Sequence, residues 1–227
     1  MFFPLPIKFN DGREFHAIPV VNGLVVVANV LIFCLGWHPV VGPGTGLFSI
    51  LTYAFGHVDV WHLAGNMLTL LVFGTPVNRR LGNGWYLLAY LGSAVALGLF
   101  ARFFSSGFLI GASGAIFAVI AIALMLLPSA IIEIVYFALF PFTILLGLIW
   151  RPRHWVFWFI RWDALELRAW WGLFLVPFLE VWDLLWCGWN WTNLGHLFGL
   201  LCGVGVVLLL PTRISMSRSS RAMFSRA

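Results

Sequence analysis

Leu109-Ile110-Gly111-Ala112-Ser113-Gly114-Ala115-Ile116-Phe117 sets one hydroxyl between small residues at the start of an apolar run, Ile110 to Leu127, long enough to cross much of a bilayer. A serine in such a helix often only bonds back to the carbonyl one turn earlier. Two other apolar segments carry polar groups as well: His196 near the start of one, and His62 with Asn66 on another. Lipid does not tolerate such groups facing it, so these faces are expected to look into protein or water.

Composition sets the solvent. The 227 residues are 62% hydrophobic and 9% charged, with mean hydropathy +0.98. A soluble domain carries about a quarter charged residues, so this is an integral membrane protein. Several apolar runs approach the roughly 20 residues that span a bilayer as helix, and the alternating pattern of a membrane barrel is absent. A single all-α, polytopic membrane domain follows. The formal charge of +5 does not point to nucleic acid, because the basic residues lie between or after apolar runs and not on a basic face interleaved with aromatics. Cys34, Cys187 and Cys202 lie within apolar segments without metal-ligand spacing and are read as small core hydrophobes; neither disulfide nor zinc is implied.

In chain order, residues 1–17 form a short cytoplasmic N-terminal segment, and no small-x-small cleavage site follows the first apolar run. Six crossings are expected: Ile18–Trp37, a second ending near Pro76, Trp85–Phe104, a fourth from the serine motif to Pro128, Ala169–Cys187 and Thr192–Leu210. Asn22 and Asn29 on the first are expected to face other helices. His38–Thr52, rich in Pro and Gly, is not a regular helix and is expected at the interface. His57 and Asp59, ahead of the second span, are assigned to the aqueous interface. On the third span Gly92, Ser93, Ala94 and Gly98 make a packing side. Gly195, Gly199 and Gly203 on the sixth recur every four residues, a ridge on which another helix can approach closely and bring its groups towards His196.

Residues 129–169 are apolar enough for another span, but Glu133 and Pro141 interrupt them and Arg151-Pro152-Arg153-His154 follows. Ser113 and His196 both lie near the outer starts of their spans, which permits one net crossing between the fourth and the last. The region is therefore read as an additional interfacial or re-entrant segment on the cytoplasmic side, between the fourth and fifth spans, the alternative being a pair of crossings that cancel. The tail, 211–227, is basic and cytoplasmic. Of the thirteen Lys and Arg residues this topology leaves only Arg102 outside, as the positive-inside rule asks.

Peptide hydrolysis by a serine needs a nucleophile, a base and donors for the developing oxyanion. Ser113 is the candidate nucleophile and His196 the candidate base. His62 and Asn66, four residues apart on one helix face, can converge on one ligand atom and, with the Ser113 N–H, face the oxyanion. Gly111 and Gly114 allow close backbone approach beside the serine. No acid adjoins His196 in sequence; Asp183 and Glu180 lie on the preceding span without a position, so a Ser-His dyad is the economical reading.

His62-x-x-x-Asn66, Gly111-x-Ser113-Gly114 and His196-x-x-Gly199-x-x-x-Gly203, in this order, resemble the rhomboid intramembrane serine proteases. The resemblance covers most of residues 50–127 and 170–205. It implies a six-transmembrane-helix bundle, residues 18–210, around a water-filled cavity open to the outer face. It also implies cleavage of single-span or other membrane-protein substrates within or near their transmembrane helices, without metal or organic cofactor. Ser113 becomes the nucleophile, His196 the base, and His62 and Asn66 the oxyanion stabilisers, with Gly111, Gly114, Phe117, Gly199 and Gly203 packing the site. Phe117 stands where the family often has a Tyr stacked on the histidine. The family's Trp-Arg pair of the first outer loop is not evident, Phe48-Ser49 occupying its place. The alternatives are a rhomboid-fold protein that binds transmembrane clients without cutting them and, less compatible with the absence of internal symmetry, a small transporter. A prokaryotic cytoplasmic membrane, with both termini inside, is the expected location.

Overall fold

A computed structural model describes residues 2–10, 18–139, 142–149 and 160–211. The Arg151–His154 cluster, most of the acidic and basic residues of the N-terminal segment, and the basic tail beyond Pro211 lie outside these ranges. An N-terminal strand β1 (Phe2–Asn10) precedes α1 (Val20–Cys34), the short helix α2 (Ser49–Thr52) and α3 (Val60–Thr69), which runs through a π-type turn (Leu70–Gly74) into α4 (Thr75–Leu81). Then come α5 (Asn83–Phe104), α6 (Ser113–Leu126), β2 (Ile131–Leu139), α7 (Phe142–Ile149), β3 (Ile160–Arg168), α8 (Gly172–Trp186) and α9 (Trp191–Leu209).

Four helical stretches are long and apolar enough to cross a membrane: Val60–Leu81, Asn83–Phe104, Ala169–Trp186 and Trp191–Leu209. α1 and α6 occupy the other two expected positions with 15 and 14 residues. At its 14 residues α6 is about 21 Å long, short of the roughly 30 Å of hydrocarbon in a typical bilayer. The aromatic and aliphatic side chains of α8, among them Phe174, Phe178, Leu185 and Trp186, are exposed. Such a face suits lipid and not water. Cys34 and Cys187 are exposed and Cys202 half-buried, so they are not the core residues their apolar surroundings suggest.

The second long helix does not stop at Pro76. Proline has no N–H to give the Val72 carbonyl one turn earlier, and the helix accommodates it by widening just ahead of it into the π-type turn. Asn22, fully buried on α1, supplies what this turn lacks. Its Nδ2 donates to the Leu70 carbonyl at 3.1 Å and to Thr75 Oγ1 at 3.2 Å, while its Oδ1 accepts from the Tyr86 hydroxyl at 2.6 Å. A Cβ at Gly74 would lie 2.3 Å from that Oδ1, so only glycine admits the amide. Asn29 is also buried, its Nδ2 turned back to the Val25 carbonyl at 2.8 Å.

α6 is the central helix, buried along nearly its whole length and packed chiefly on α9 and α5. Contact with α9 runs along the glycine ridge. A Cβ at Gly199 would stand 2.1 Å from the Gly114 carbonyl oxygen, and one at Gly203 2.3 Å from that of Ala118. The helix that settles on the glycines is thus the serine helix. On α5, Gly98 abuts the Ile50 carbonyl and Ser93 and Ala94 are buried, but Gly92 faces outward with nothing within 4 Å and is not part of the packing side. The loop from His38 onward is irregular up to α2. Val41 pairs with Leu109 through two backbone bonds of 2.9 and 2.8 Å, and the Tyr53 hydroxyl donates to the Ala94 carbonyl at 2.9 Å.

The chain is not all-α. β1, β2 and β3 form an antiparallel sheet in that order, uniting the N-terminal segment with the region between α6 and α8. Apolar runs of this length are ambiguous between strand and helix, and Ile131-Ile132-Glu133-Ile134-Val135-Tyr136-Phe137 is rich in β-branched and aromatic residues. Pro4 and Pro6 are compatible with β1 because it is an edge strand. The excursion closes at its neck: Ala169 N–H donates to the Ala130 carbonyl at 2.7 Å, and Trp170 N–H to that of Pro128 at 3.1 Å. The chain leaves α6 and re-enters at Ala169 at one place.

Candidate active site

Gly111 and Ala112 turn the chain from the extended Leu109–Ile110 stretch into α6. Gly111 has φ +114°, a conformation closed to side chains, and its N–H donates to the Tyr53 carbonyl at 2.9 Å. A Cβ there would also meet His62, 2.7 Å from Cε1. The helix therefore begins at Ser113 and not at Ile110, which puts the half-buried hydroxyl on its first turn. First-turn N–H groups have no intrahelical acceptor, and the helix dipole is positive there, so an anion beside Ser113 meets a favourable field.

His196 lies one turn into α9, whose start is capped by Asn190 accepting from the Asn193 N–H at 2.8 Å. Its imidazole is flat on Phe117, with centroids 4.1 Å apart and planes 5° from parallel. Nδ1 lies 3.1 Å from Glu180 Oε2 on α8. Nε2 is buried and has no hydrogen-bond partner among the described residues.

α3 is capped by Asp59, whose carboxylate accepts from the His62 N–H at 2.8 Å. Asp59 is thus structural. His62 and Asn66 then project from one face, and Asn66 Nδ2 lies 2.9 Å from His57 Nε2. His57 is not at the aqueous interface but fully buried, its ring 5.0 Å from that of His62. Burial first and the neighbouring His62 second hold its pKa down to about 4. A neutral ring offers one bare nitrogen, so Asn66 donates one amide hydrogen to His57, and the other has no partner among the described residues.

Ser113, His196, His62 and Asn66 line one cavity of about 430 Å³, together with Phe117 and Thr192. A narrower cleft of about 20 Å³ continues past Ser113 between Gly111, Gly114 and Gly195 towards Tyr53. The structure thus brings together all four residues singled out from the sequence; Gly111, Gly114 and Phe117 line the same space, Gly199 packs on Gly114 and Phe117, and Gly203 lies further along α9 against Ala118 and Ala121. Two further residues belong to the constellation: Glu180, through His196, and His57, through Asn66. Neither has a spacing signal, because each meets its partner across a tertiary contact.

These features define a helical membrane protein with serine, histidine and amide groups around one open cavity. The chain belongs to the rhomboid family: the family profile described as the Rhomboid domain matches residues 44–213. Among named relatives it is similar to Rhomboid protein 1, mitochondrial, of Saccharomyces cerevisiae, 40% identical over 93 residues, 38% of this chain and 27% of that one. Presenilin-associated rhomboid-like protein, mitochondrial, of Homo sapiens is 28% identical over 154 residues, 60% of this chain and 39% of that one. Rhomboid protease GluP of Bacillus subtilis is 40% identical over 70 residues, 31% of this chain and 14% of that one. The matches thus span well under half the length of these relatives. No solved structure matches the chain significantly. Most named relatives are mitochondrial, so the expectation of a prokaryotic membrane draws no support from them.

Proposed function

We propose that this chain is an intramembrane serine endopeptidase that cleaves membrane-anchored proteins within or near their transmembrane helices. The observation that carries the reading is His196: one ring nitrogen is engaged by a carboxylate, the other is buried and unpartnered, and the ring shares its cavity with the Ser113 hydroxyl.

Ser113 Oγ attacks the scissile carbonyl while His196 Nε2 takes its proton. The carbonyl oxygen becomes an oxyanion and accepts from the free amide hydrogen of Asn66, from His62 and from the Ser113 N–H. Losing one such donor costs about 3 to 4 kcal/mol of transition-state stabilisation. The tetrahedral adduct collapses, the C–N bond breaks, and His196 returns the proton to the leaving amine. Water then attacks the acyl-serine with His196 again as base. The cavity, at about 430 Å³ and with polar groups on its walls, is large enough to admit water for hydrolysis of the acyl-serine.

The same reading takes residues 18–210 as the membrane protease unit with six crossings, α1 and α6 being the two short ones. Residues 1–17, the sheet-forming 129–169 insertion and the tail 211–227 lie on the cytoplasmic side, with the cavity opening outward. The pairing of β1 with β2 supports placing the first two on one side. Substrates are single-span or other membrane proteins.

The test is labelling of purified, detergent-solubilised protein with a fluorophosphonate probe, with the adduct mapped by mass spectrometry, beside cleavage of a single-span substrate. Labelling at Ser113 that needs His196, and no cleavage by Ser113→Ala or His196→Ala, is the expected result. Folded wild-type protein that neither labels nor cleaves is a non-catalytic helix binder.

A further inference from the structure

We propose that Glu180 is a positioning residue for the base, so that the reacting unit is Ser113–His196–Glu180; this inference rests on the protease reading. The contact is between Glu180 Oε2 and His196 Nδ1 at 3.1 Å, with side chains only 15% and 17% exposed. Two further polar links set the register of α8 against α9. Asn193 Nδ2 donates to Asp183 Oδ2 at 2.8 Å and to the Glu180 carbonyl at 3.4 Å. Asn193 precedes His196 by three residues and Asp183 follows Glu180 by three, so on antiparallel helices the two polar pairs stack one turn apart. Phe117 fixes the plane of the ring.

This geometry selects a tautomer. A carboxylate is an acceptor only, so the proton of the neutral imidazole resides on Nδ1 and the lone pair on Nε2, the nitrogen without another partner. The Ser113 proton moves to Nε2 as the new C–O bond forms. Glu180 takes no proton; it holds the ring and offsets the charge of the imidazolium. Of the carboxylates among the described residues, Asp59 caps α3, Asp183 engages Asn193, and Glu133, Asp163 and Glu166 are in the sheet. Glu180 alone bonds the ring.

The test uses the full chain in proteoliposomes and a fluorogenic single-span substrate, measuring kcat and KM for wild type, Glu180→Gln, Glu180→Asp and Asp183→Asn, with melting temperatures beside them. Glu180→Gln should lower kcat by more than about 10-fold, short of the roughly 10⁴-fold lost when the carboxylate of a hydrolytic triad becomes an amide, because here the pair is partly solvated. KM should stay within about twofold, since substrate binding does not use the carboxylate. Glu180→Asp should retain more activity than Glu180→Gln. Asp183→Asn, which loosens the helix pairing without touching the ring, should lower the melting temperature more than kcat. An active wild type whose Glu180→Gln variant keeps its kcat, or loses no more than Asp183→Asn at equal melting temperature, overturns the role of Glu180 and leaves the dyad standing. A wild type that cleaves nothing overturns the protease reading and this inference together.

Discussion

Phe117 and His196 stand on different helices, α6 and α9, yet their rings are parallel within 5° at 4.1 Å. Such a contact fixes the plane of the imidazole and contributes about 0.5 to 1.5 kcal/mol beyond burial. Phe117→Leu should therefore lower kcat by about 2- to 10-fold and the melting temperature by about 2 to 4 °C. Phe117→Tyr, which keeps the face, should be close to wild type. Steady-state cleavage of a single-span substrate separates the two.

The stacking depends on how closely α6 approaches α9, which the glycine ridge decides. A methyl at Gly199 would stand 2.1 Å from a backbone oxygen that cannot step aside, whereas one at Gly92 meets nothing within 4 Å. Gly199→Ala should lower the melting temperature by several degrees and abolish most fluorophosphonate labelling, because Ser113 and His196 separate. Gly92→Ala should match or slightly exceed wild-type stability, alanine being the better helix former. Equal behaviour of the two variants would remove the ridge from the account.

What could be read in the chain beforehand follows from what each feature depends on. A helix in lipid must satisfy its backbone internally and show apolar side chains, so the four helical stretches long enough to cross a membrane, and the shorter α1 and α6, stand near their apolar runs. Ser113, His62, Asn66 and His196 were readable because polar groups among such runs are few. Pro76 misled, since its cost is offset by Asn22, which lies far away in sequence. The strands were missed because Ile131–Leu139 gains its partners only from the N-terminal segment and from β3. Glu180 and His57 had no periodicity to betray them; each acquires its meaning from one contact across the fold.

Asn22 gives a prediction about stability alone. Its amide serves the Leu70 carbonyl and Thr75 at the π-type turn, and its oxygen takes the Tyr86 hydroxyl. Asn22→Ala leaves a buried carbonyl and a buried hydroxyl unpaired, a loss of about 1 to 3 kcal/mol for each group left unsatisfied. Thermal unfolding should show this as a clear fall in melting temperature. The variant that remains folded should still label at Ser113, since the turn does not touch the cavity.

His57 links stability and activity to pH. Its pKa falls from 6.5 in the unfolded chain to about 4 in the folded protein, so between these values the unfolded state binds more protons. The stabilisation is fully present above about pH 6.5 and is lost as pH falls towards 4. A protonated His57 can no longer accept from Asn66 Nδ2, and the amide that should face the oxyanion is released. Wild-type melting temperature should therefore decline below pH 6.5, most steeply about midway between 6.5 and 4, and level off as pH passes below 4. His57→Gln, which offers an uncharged acceptor in a similar place, should flatten that decline while preserving part of the activity. His57→Leu should also flatten it, yet lose kcat by roughly the 10²- to 10³-fold seen when an oxyanion donor is removed, if Asn66 swings away. Melting curves and cleavage rates across pH 4.5 to 8 measure both effects. A decline identical in wild type and in both variants would assign the acid sensitivity to other groups and leave Asn66 held without His57.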